Sequence, residues 1–476
     1  MRKTAKALVV FVLAACTAHG EEVFTSFDAD PGWDGHNNRS QAFELRQIAQ
    51  DFGYTAENIF GIPGAIGGAI FPDGTPAYYA MPIPESSLDT PLHAAGVLKV
   101  EKGGGNVLLG FFNNATINEW RTPNSLAFRI NGRGDTFHVH TEYATSKWRA
   151  GASVIGRVDL QADRVHPIEN PGDAVYRWSL DYDPAANNGA GALTATLNDV
   201  TAVMEIAPEN RAEGLTVNRF GFLNVVKHAD GGGRFWMADL TVNGMRIDLS
   251  ADPKWDALNN RKTYLSTDVR PRFDFGFTPT HFAGGSRPGE IGGLFFRGDC
   301  RYPEKLAYYG AKCDALTLAK PLRASGKIAL HRGISDSTSI FGFFHSERSI
   351  RVNPSQQSAI PEDFVGFAVE GPSAQGFFVY PLYRAEDGAE GVGKMEPTHL
   401  IYPDGKSHTW MLEYTPESDG SGAIVITFDN ASTRLAIPAD ALAQGAEFDR
   451  FGFVTPWIDG NGQRIYVDDL AYTVRQ

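Results

Sequence analysis

The chain has 476 residues, 42% hydrophobic and 12% aromatic, which is enough apolar material for two cores of ordinary domain size. With 51 glycines and 27 prolines it favours short strands separated by turns over long helices. A formal net charge of −13 argues against nucleic acid and anionic membrane surfaces as partners, and no stretch after the N-terminal one is long and apolar enough for a membrane helix.

Residues 1–20 read as a secretory signal: Arg2, Lys3 and Lys6 precede the apolar run Ala7 to Ala15, and small residues follow. Leu13-Ala14-Ala15-Cys16 resembles a bacterial lipobox, which would leave Cys16 as a lipid-modified N-terminus, whereas Ala18-His19-Gly20 equally fits an ordinary cleavage site. The two routes imply a bacterial protein that is secreted, periplasmic or an outer-membrane lipoprotein, with membrane contact only through the N-terminal lipid that the Cys16 route would leave. In that oxidising setting Cys300 and Cys313 are expected to form a disulfide that staples one loop.

Residues 29–39 read ADPGWDGHNNR and residues 251–261 read ADPKWDALNNR. Further pairs follow in the same order: Asp51-Phe52-Gly53-Tyr54 with Asp274-Phe275-Gly276-Phe277, Gly67-Gly68 with Gly292-Gly293, Gly110-Phe111-Phe112 with Gly342-Phe343-Phe344, Arg219-Phe220-Gly221-Phe222 with Arg450-Phe451-Gly452-Phe453, and Asp239-Leu240 with Asp469-Leu470. Self-similarity at this distance predicts two copies of one domain, at 22–246 and 247–476, that abut without a linker. The shared Trp-Asp and Asn-Asn-Arg residues are expected to form a structural turn, with a packed indole and polar side chains satisfying local backbone groups.

Within a copy the pattern has period two: Tyr176, Trp178, Leu180 and Tyr182 alternate with Arg177, Ser179 and Asp181, and Asp183-Pro184 then leads through an Asn/Gly-rich turn to the strand beginning at Gly191. Strands of this kind recur through both copies, and only Gln41 to Asp51 reads as a short helix. The expected fold is all-β, two tandem antiparallel β-sandwiches. Trp178-x-Leu180-x-Tyr182-x-Pro184, the Gly191 strand and the closing Arg219-Phe-Gly-Phe resemble the concanavalin A-like lectin/glucanase superfamily, including laminin G-like modules. That resemblance implies jelly-roll domains that bind or cleave glycans, and it implies a structural calcium near Asp239 or Asp469. No other cofactor is required.

The copies differ most in one hairpin. Leu126, Phe128, Ile130, Phe137, Val139 and Tyr143 are assigned to the core, which leaves Arg129, Asn131, His138, His140 and Glu142 on the opposite face. In copy two the core set is kept, but Arg129 becomes Ala368, His138 becomes Phe378, His140 becomes Tyr380 and Glu142 becomes Leu382. Loss of ionisable groups on one face alone points to chemistry in copy one, with copy two as support.

Three schemes use these residue types. In a polysaccharide lyase, Arg129 and Asn131 neutralise a uronate carboxylate while His138 or His140 removes the neighbouring proton, as in the jelly-roll alginate lyases that the set resembles. Tyr143 points to the core, so the acid for the leaving oxygen has to come from elsewhere. A glycosidase needs two carboxylates, and Glu142 would require a second from a loop, such as Glu119 or Asp135. His138-x-His140 also matches half of a cupin-type metal motif, without the expected later glutamate. Against all three stands a pair of lectin-like modules without catalysis. The expected catalytic set is His138, His140, Arg129 and Glu142, with Asn131, Asn113, Phe378 and Tyr380 as substrate contacts. The expected partner is a polysaccharide or oligosaccharide.

Overall fold

In the computed structural model the described residues are 20–40, 44–101, 104–117, 124–133, 136–147, 149–155, 157–159, 164–166, 168–169, 174–334, 336–371, 376–386 and 388–476. The signal segment with Cys16 lies outside them. Their regular secondary structure is nearly all strand, and they form two compact units, each built of two large antiparallel sheets.

In the unit Glu44–Val269, one sheet runs through Arg149–Ile155, Thr136–Ala144, Ser125–Arg133, Asn106–Phe112, Thr216–Asn224, Tyr78–Ser87 and Asp256–Leu258. The other runs through Val200–Glu205, Ala192–Leu197, Tyr176–Asp183, Leu92–Val100, Gly233–Val242, Ala65–Ile70, Arg46–Thr55 and Arg261–Ser266. Strict alternation buries one side of each strand: along Tyr176–Asp183 the two tyrosines, Trp178 and Leu180 are buried, and the residues between them are not. Between the sheets Phe128 meets Trp178 edge to face at 5.9 Å, and Trp178 stacks on Phe220 at 6.2 Å. The other unit repeats this plan with Trp410 packed on Phe341 and Phe367.

The units do not coincide with copies 22–246 and 247–476. The second unit consists of Met1–Phe43 together with Arg270–Gln476, so each duplicated peptide is built into the body of the other copy. The physical reason is a set of long-range partners. Trp255 stacks on Tyr79 with centroids 5.7 Å apart, and its backbone N–H donates to the Tyr79 hydroxyl. Asp256 pairs with Arg219 at 2.6 Å, Asn259 donates to the Pro76 carbonyl, Asn260 to that of Phe52 and Arg261 to that of Tyr54. In the second unit Trp33 packs on Tyr309 at 5.7 Å, Asp34 pairs with Arg450 at 2.8 Å, and Asn37, Asn38 and Arg39 donate to the carbonyls of Leu306, Phe275 and Phe277. The structural role expected of the peptide is therefore present, but its partners are remote carbonyls rather than local ones.

Two further expectations are corrected. Within Gln41 to Asp51, residues 46–51 belong to the strand Arg46–Thr55, where Ile48, Gln50 and Phe52 are buried and the Gln50 amide bonds both main-chain groups of Phe71. Residues 41–43 lie outside the described set. Cys300 and Cys313 are free thiols. Cys300 packs with Leu306 and Trp457, whereas Cys313 sits on the strand Tyr308–Thr317 and faces the Thr473 carbonyl, so the two occupy different surroundings. Burial pushes the Cys313 thiol up to about 12.

Two outcomes follow. Trp255→Ala removes a buried indole and is expected to destabilise the unit Glu44–Val269 by about 3–5 kcal/mol in urea unfolding. In denaturant, with no reductant added, Cys300 and Cys313 should both titrate with a thiol reagent; a pair that reacts only after reduction contradicts the free thiols.

Candidate active site

The hairpin Ser125–Arg133 and Thr136–Ala144 brings the expected polar residues into adjacent rows of one sheet face. Asn106, Asn131 and His138 stand opposite one another across three strands, Arg129 faces His140 in the next row, and Ala127 faces Glu142 in the one after. Directly opposed residues of this kind lie about 4.5–5.5 Å apart. Leu126, Phe128, Ile130, Phe137, Val139 and Tyr143 all point into the core, as the alternation required.

Arg129 and Glu142 form a diagonal ion pair, Nε to Oε2 3.2 Å, with Arg129 7% and Glu142 3% exposed. Burial raises the Glu142 carboxyl above its usual range, and the neighbouring Arg129 guanidinium only partly opposes that shift. His138 and His140 are half-buried, with ring centroids 6.2 Å apart. Asn106, which is buried, joins the group from the neighbouring strand. It was missed because Asn106–Phe112 reads as a continuous apolar strand with one polar residue at its start; only the register reveals its neighbours.

Beside this group runs a row of small residues, Ala127, Gly110, Gly221 and Ala80, one on each of four adjacent strands, ending at Asp256 with its Arg219 partner. The second unit has Gly366, Gly342, Gly452 and Gly310 in the same row. There the rings of Phe364 and Phe344 lie over Gly366 and Gly310, so closely that a Cβ added at either glycine would meet a ring within 3 Å. Ser125 occupies the position of Phe364 in the first unit.

Several predicted contacts are corrected. Phe378 and Tyr380 belong to a buried apolar cluster with Ile340, Ile360 and Leu382, and the Tyr380 hydroxyl donates to Glu370, which Arg297 also holds at 2.8 Å. They are wall, not a platform for sugar rings. Asn113 is buried and turns inward, donating to Thr216 Oγ1 and accepting from the Ala115 N–H, which makes it a loop brace. Tyr143 is buried, and its hydroxyl accepts from Asn210. Glu119 and Asp135 lie outside the described residues.

The calcium expectation is not met by the donor set. Asp239 faces the exposed Arg246 at 3.0 Å, and Asp469 accepts from Ser286 and meets the Lys327 ammonium at 3.3 Å, so each carboxylate already has a cationic partner. Among the described residues no group of three or more His, Cys, Asp or Glu side chains is arranged to hold a metal ion.

The Arg129–Glu142 pair generates a stability prediction. Arg129→Met leaves a carboxylate buried without its cation and should cost about 3–5 kcal/mol, whereas Arg129→Met with Glu142→Leu should recover most of that loss. The raised Glu142 carboxyl binds its proton more tightly folded than unfolded. Its contribution is therefore most favourable below the unfolded value of 4.5 and diminishes as pH rises through the higher folded value. Glu142→Gln should remove that slope from urea midpoints measured between pH 4 and 8.

No protein-family model matches the chain, and no curated protein matches it. Among solved structures, domains LG4-5 of the mouse laminin alpha1 chain align at 12% identity over 92% of this chain and 93% of that one, with a TM-score of 0.24. An endo-beta-1,4-glucuronan lyase from the fungus Trichoderma reesei aligns at 10% identity over 44% of this chain and 90% of its own, TM-score 0.29. An alginate lyase from Pseudomonas aeruginosa aligns at 12% identity over 48% and 83%, TM-score 0.23. At these scores none of them assigns a role to a residue of this chain.

Proposed function

We propose that the sandwich of residues 44–269 cleaves a uronate-containing polysaccharide by β-elimination outside the cytoplasm, with the other sandwich as support. The observation that carries this reading is the pair of half-buried imidazoles beside a buried guanidinium and two carboxamides on one sheet face.

Each step needs a group that the face supplies. Arg129, Asn131 and Asn106 take the uronate carboxylate, which lowers the cost of carbanion character at the adjacent C5. His140, directly opposite Arg129, removes the C5 proton. The electrons of that C–H bond form the C4=C5 double bond as the C4–O bond breaks, and the leaving oxygen takes a proton from His138 in its imidazolium form. A tyrosine cannot serve, since Tyr143 is buried in the core and Tyr78, on the same face, is four strands from His140, about 19 Å at the usual strand spacing.

One observation favours a second reading. The charge of Arg129 is already matched by Glu142, so the pair presents no net charge to a carboxylate. That suits a lectin-like surface for a glycan that is held and not cut. Hydrolysis is the weakest of the three readings because, among the described residues, Asp256 in the same row as Glu142 stands five strands away, about 24 Å at the usual strand spacing, and is paired with Arg219.

With polyuronates as substrate, the protein should raise ultraviolet absorbance and reducing ends together, with a bell-shaped pH profile set by one neutral and one protonated imidazole. The double variant His138→Ala/His140→Ala should fold and lose at least about 10²-fold in rate. An unchanged rate sinks the assignment. Reducing ends without absorbance mean a hydrolase, and retardation in a polysaccharide gel without either signal means a recognition surface.

A further inference from the structure

The sandwich of residues 44–269 carries a second polar constellation on its other sheet, away from the hairpin. His93 on the strand Leu92–Val100 stands directly opposite Asp181 on the strand Tyr176–Asp183. Leu92, Ala94, Leu180 and Tyr182 are buried in the core, so His93 and Asp181 lie on the outer face. There the His93 Nδ1–H donates to the Asp181 carboxylate, with the two side chains 42% and 44% exposed. A carboxylate only accepts, so this bond holds the ring proton on Nδ1 and leaves the Nε2 lone pair of the neutral imidazole for another donor. Among the described residues no group bonds Nε2.

A cavity of about 420 Å³, a volume usual for small-ligand sites, is lined by His93, Asp181, Asp183, Asn243 and the exposed Pro91. The Asn243 N–H donates to the His93 carbonyl at 2.7 Å, and its Oδ1 accepts from the His93 N–H at 2.9 Å, so its Nδ2 group remains as a donor. Asp183 uses one oxygen to accept from the Ala185 N–H and keeps the other.

The fold does not require this set. In the second unit the same register places Arg323 opposite Glu413, and the Thr473 hydroxyl accepts from the Arg323 N–H as Asn243 does from that of His93. Aligning Trp178 with Trp410 sets Thr415 where Asp183 is. Arg323 Nε lies 3.5 Å from Glu413, and its terminal amino group reaches Met411 Sδ at 3.2 Å, so the guanidinium and the one carboxylate answer each other. The first unit has instead two carboxylates, an amide donor and an imidazole with an open acceptor.

We propose that this cavity is a second saccharide site, which holds one uncharged sugar residue through its hydroxyl groups. Such hydroxyls both donate and accept: Asp181, Asp183 and His93 Nε2 take their protons, the Asn243 amide gives one, and the Pro91 ring meets the C–H bonds of the sugar. Two carboxylates beside a neutral imidazole repel a uronate, so the ligand class differs from that proposed for the hairpin. The donor and acceptor pattern stands on the cavity alone, whereas the saccharide class rests on the proposed handling of a glycan. A site on the opposite face of the sandwich retains the polymer through its neutral residues while the hairpin acts on its acidic ones.

The test uses the full chain and saturation-transfer NMR, with the methyl glycosides of glucose, galactose, mannose and xylose, methyl glucosaminide and an oligouronate as probes. At least one neutral glycoside should bind and shift the imidazole resonances that His93→Ala removes. His93→Ala and Asp181→Asn change exposed side chains, and each should weaken that binding at least about tenfold with unchanged far-ultraviolet circular dichroism. Absence of binding by every neutral glycoside, or equal binding by both variants and the unaltered protein, overturns the proposal. Binding at His93 of the amino sugar alone, or of the oligouronate alone, overturns the uncharged class. Neutral-glycoside binding that survives in His138→Ala/His140→Ala upholds a site separate from the hairpin. If the unaltered protein cleaves no polyuronate but still binds the neutral glycoside through His93, the lyase reading fails and this site stands.

Discussion

The architecture depends on one recurring arrangement, in which the Trp-Asp…Asn-Asn-Arg peptide clips onto an edge of a sandwich. Each clip combines an indole on a tyrosine, an aspartate on the arginine of the Arg-Phe-Gly-Phe strand, and side-chain donors aimed at main-chain carbonyls. Magnitudes distinguish their roles. Asp256 is 44% exposed, and an ion pair so placed is worth at most about 1 kcal/mol, whereas the buried Trp255 contributes several times that. The indole therefore supplies stability, and the polar contacts fix register by satisfying carbonyls that an edge would otherwise leave bare.

Against this shared frame the outer faces of the hairpin sheets diverge. In the second unit the glycine row is roofed by Phe344 and Phe364, which share one buried apolar cluster with Phe378 and Tyr380, so that face is satisfied by its own chain. In the first unit the same positions carry a buried Arg–Glu pair and two imidazoles. Burying an ion pair costs desolvation that an apolar pair does not incur, and the second unit has Ala368 and Leu382 at the two positions of that pair.

Strand alternation was legible in the sequence because period two has no competing interpretation over six or more residues, and it sorted the hairpin correctly, from Leu126 to Tyr143. It erred where the signal was weak: residues 46–51 carry helix-forming types, yet the edge position and the Gln50 amide bonds decided for a strand. The Cys300–Cys313 pairing rested on proximity in sequence, which says nothing about which way two side chains face.

By itself the sequence determined the all-β character, the two similar bodies, the core-facing residues and the asymmetry of the hairpin, because each follows from periodicity or from comparing one copy with the other. Only the tertiary structure decided which copy each clip completes, that Asn106 joins the polar group, and that Phe378, Tyr380 and Asn113 are structural. Those outcomes depend on strand order and register between segments as much as 416 residues apart, as in the Arg450–Asp34 pair. A one-dimensional pattern fixes the face a side chain takes, but not the strand that will lie beside it.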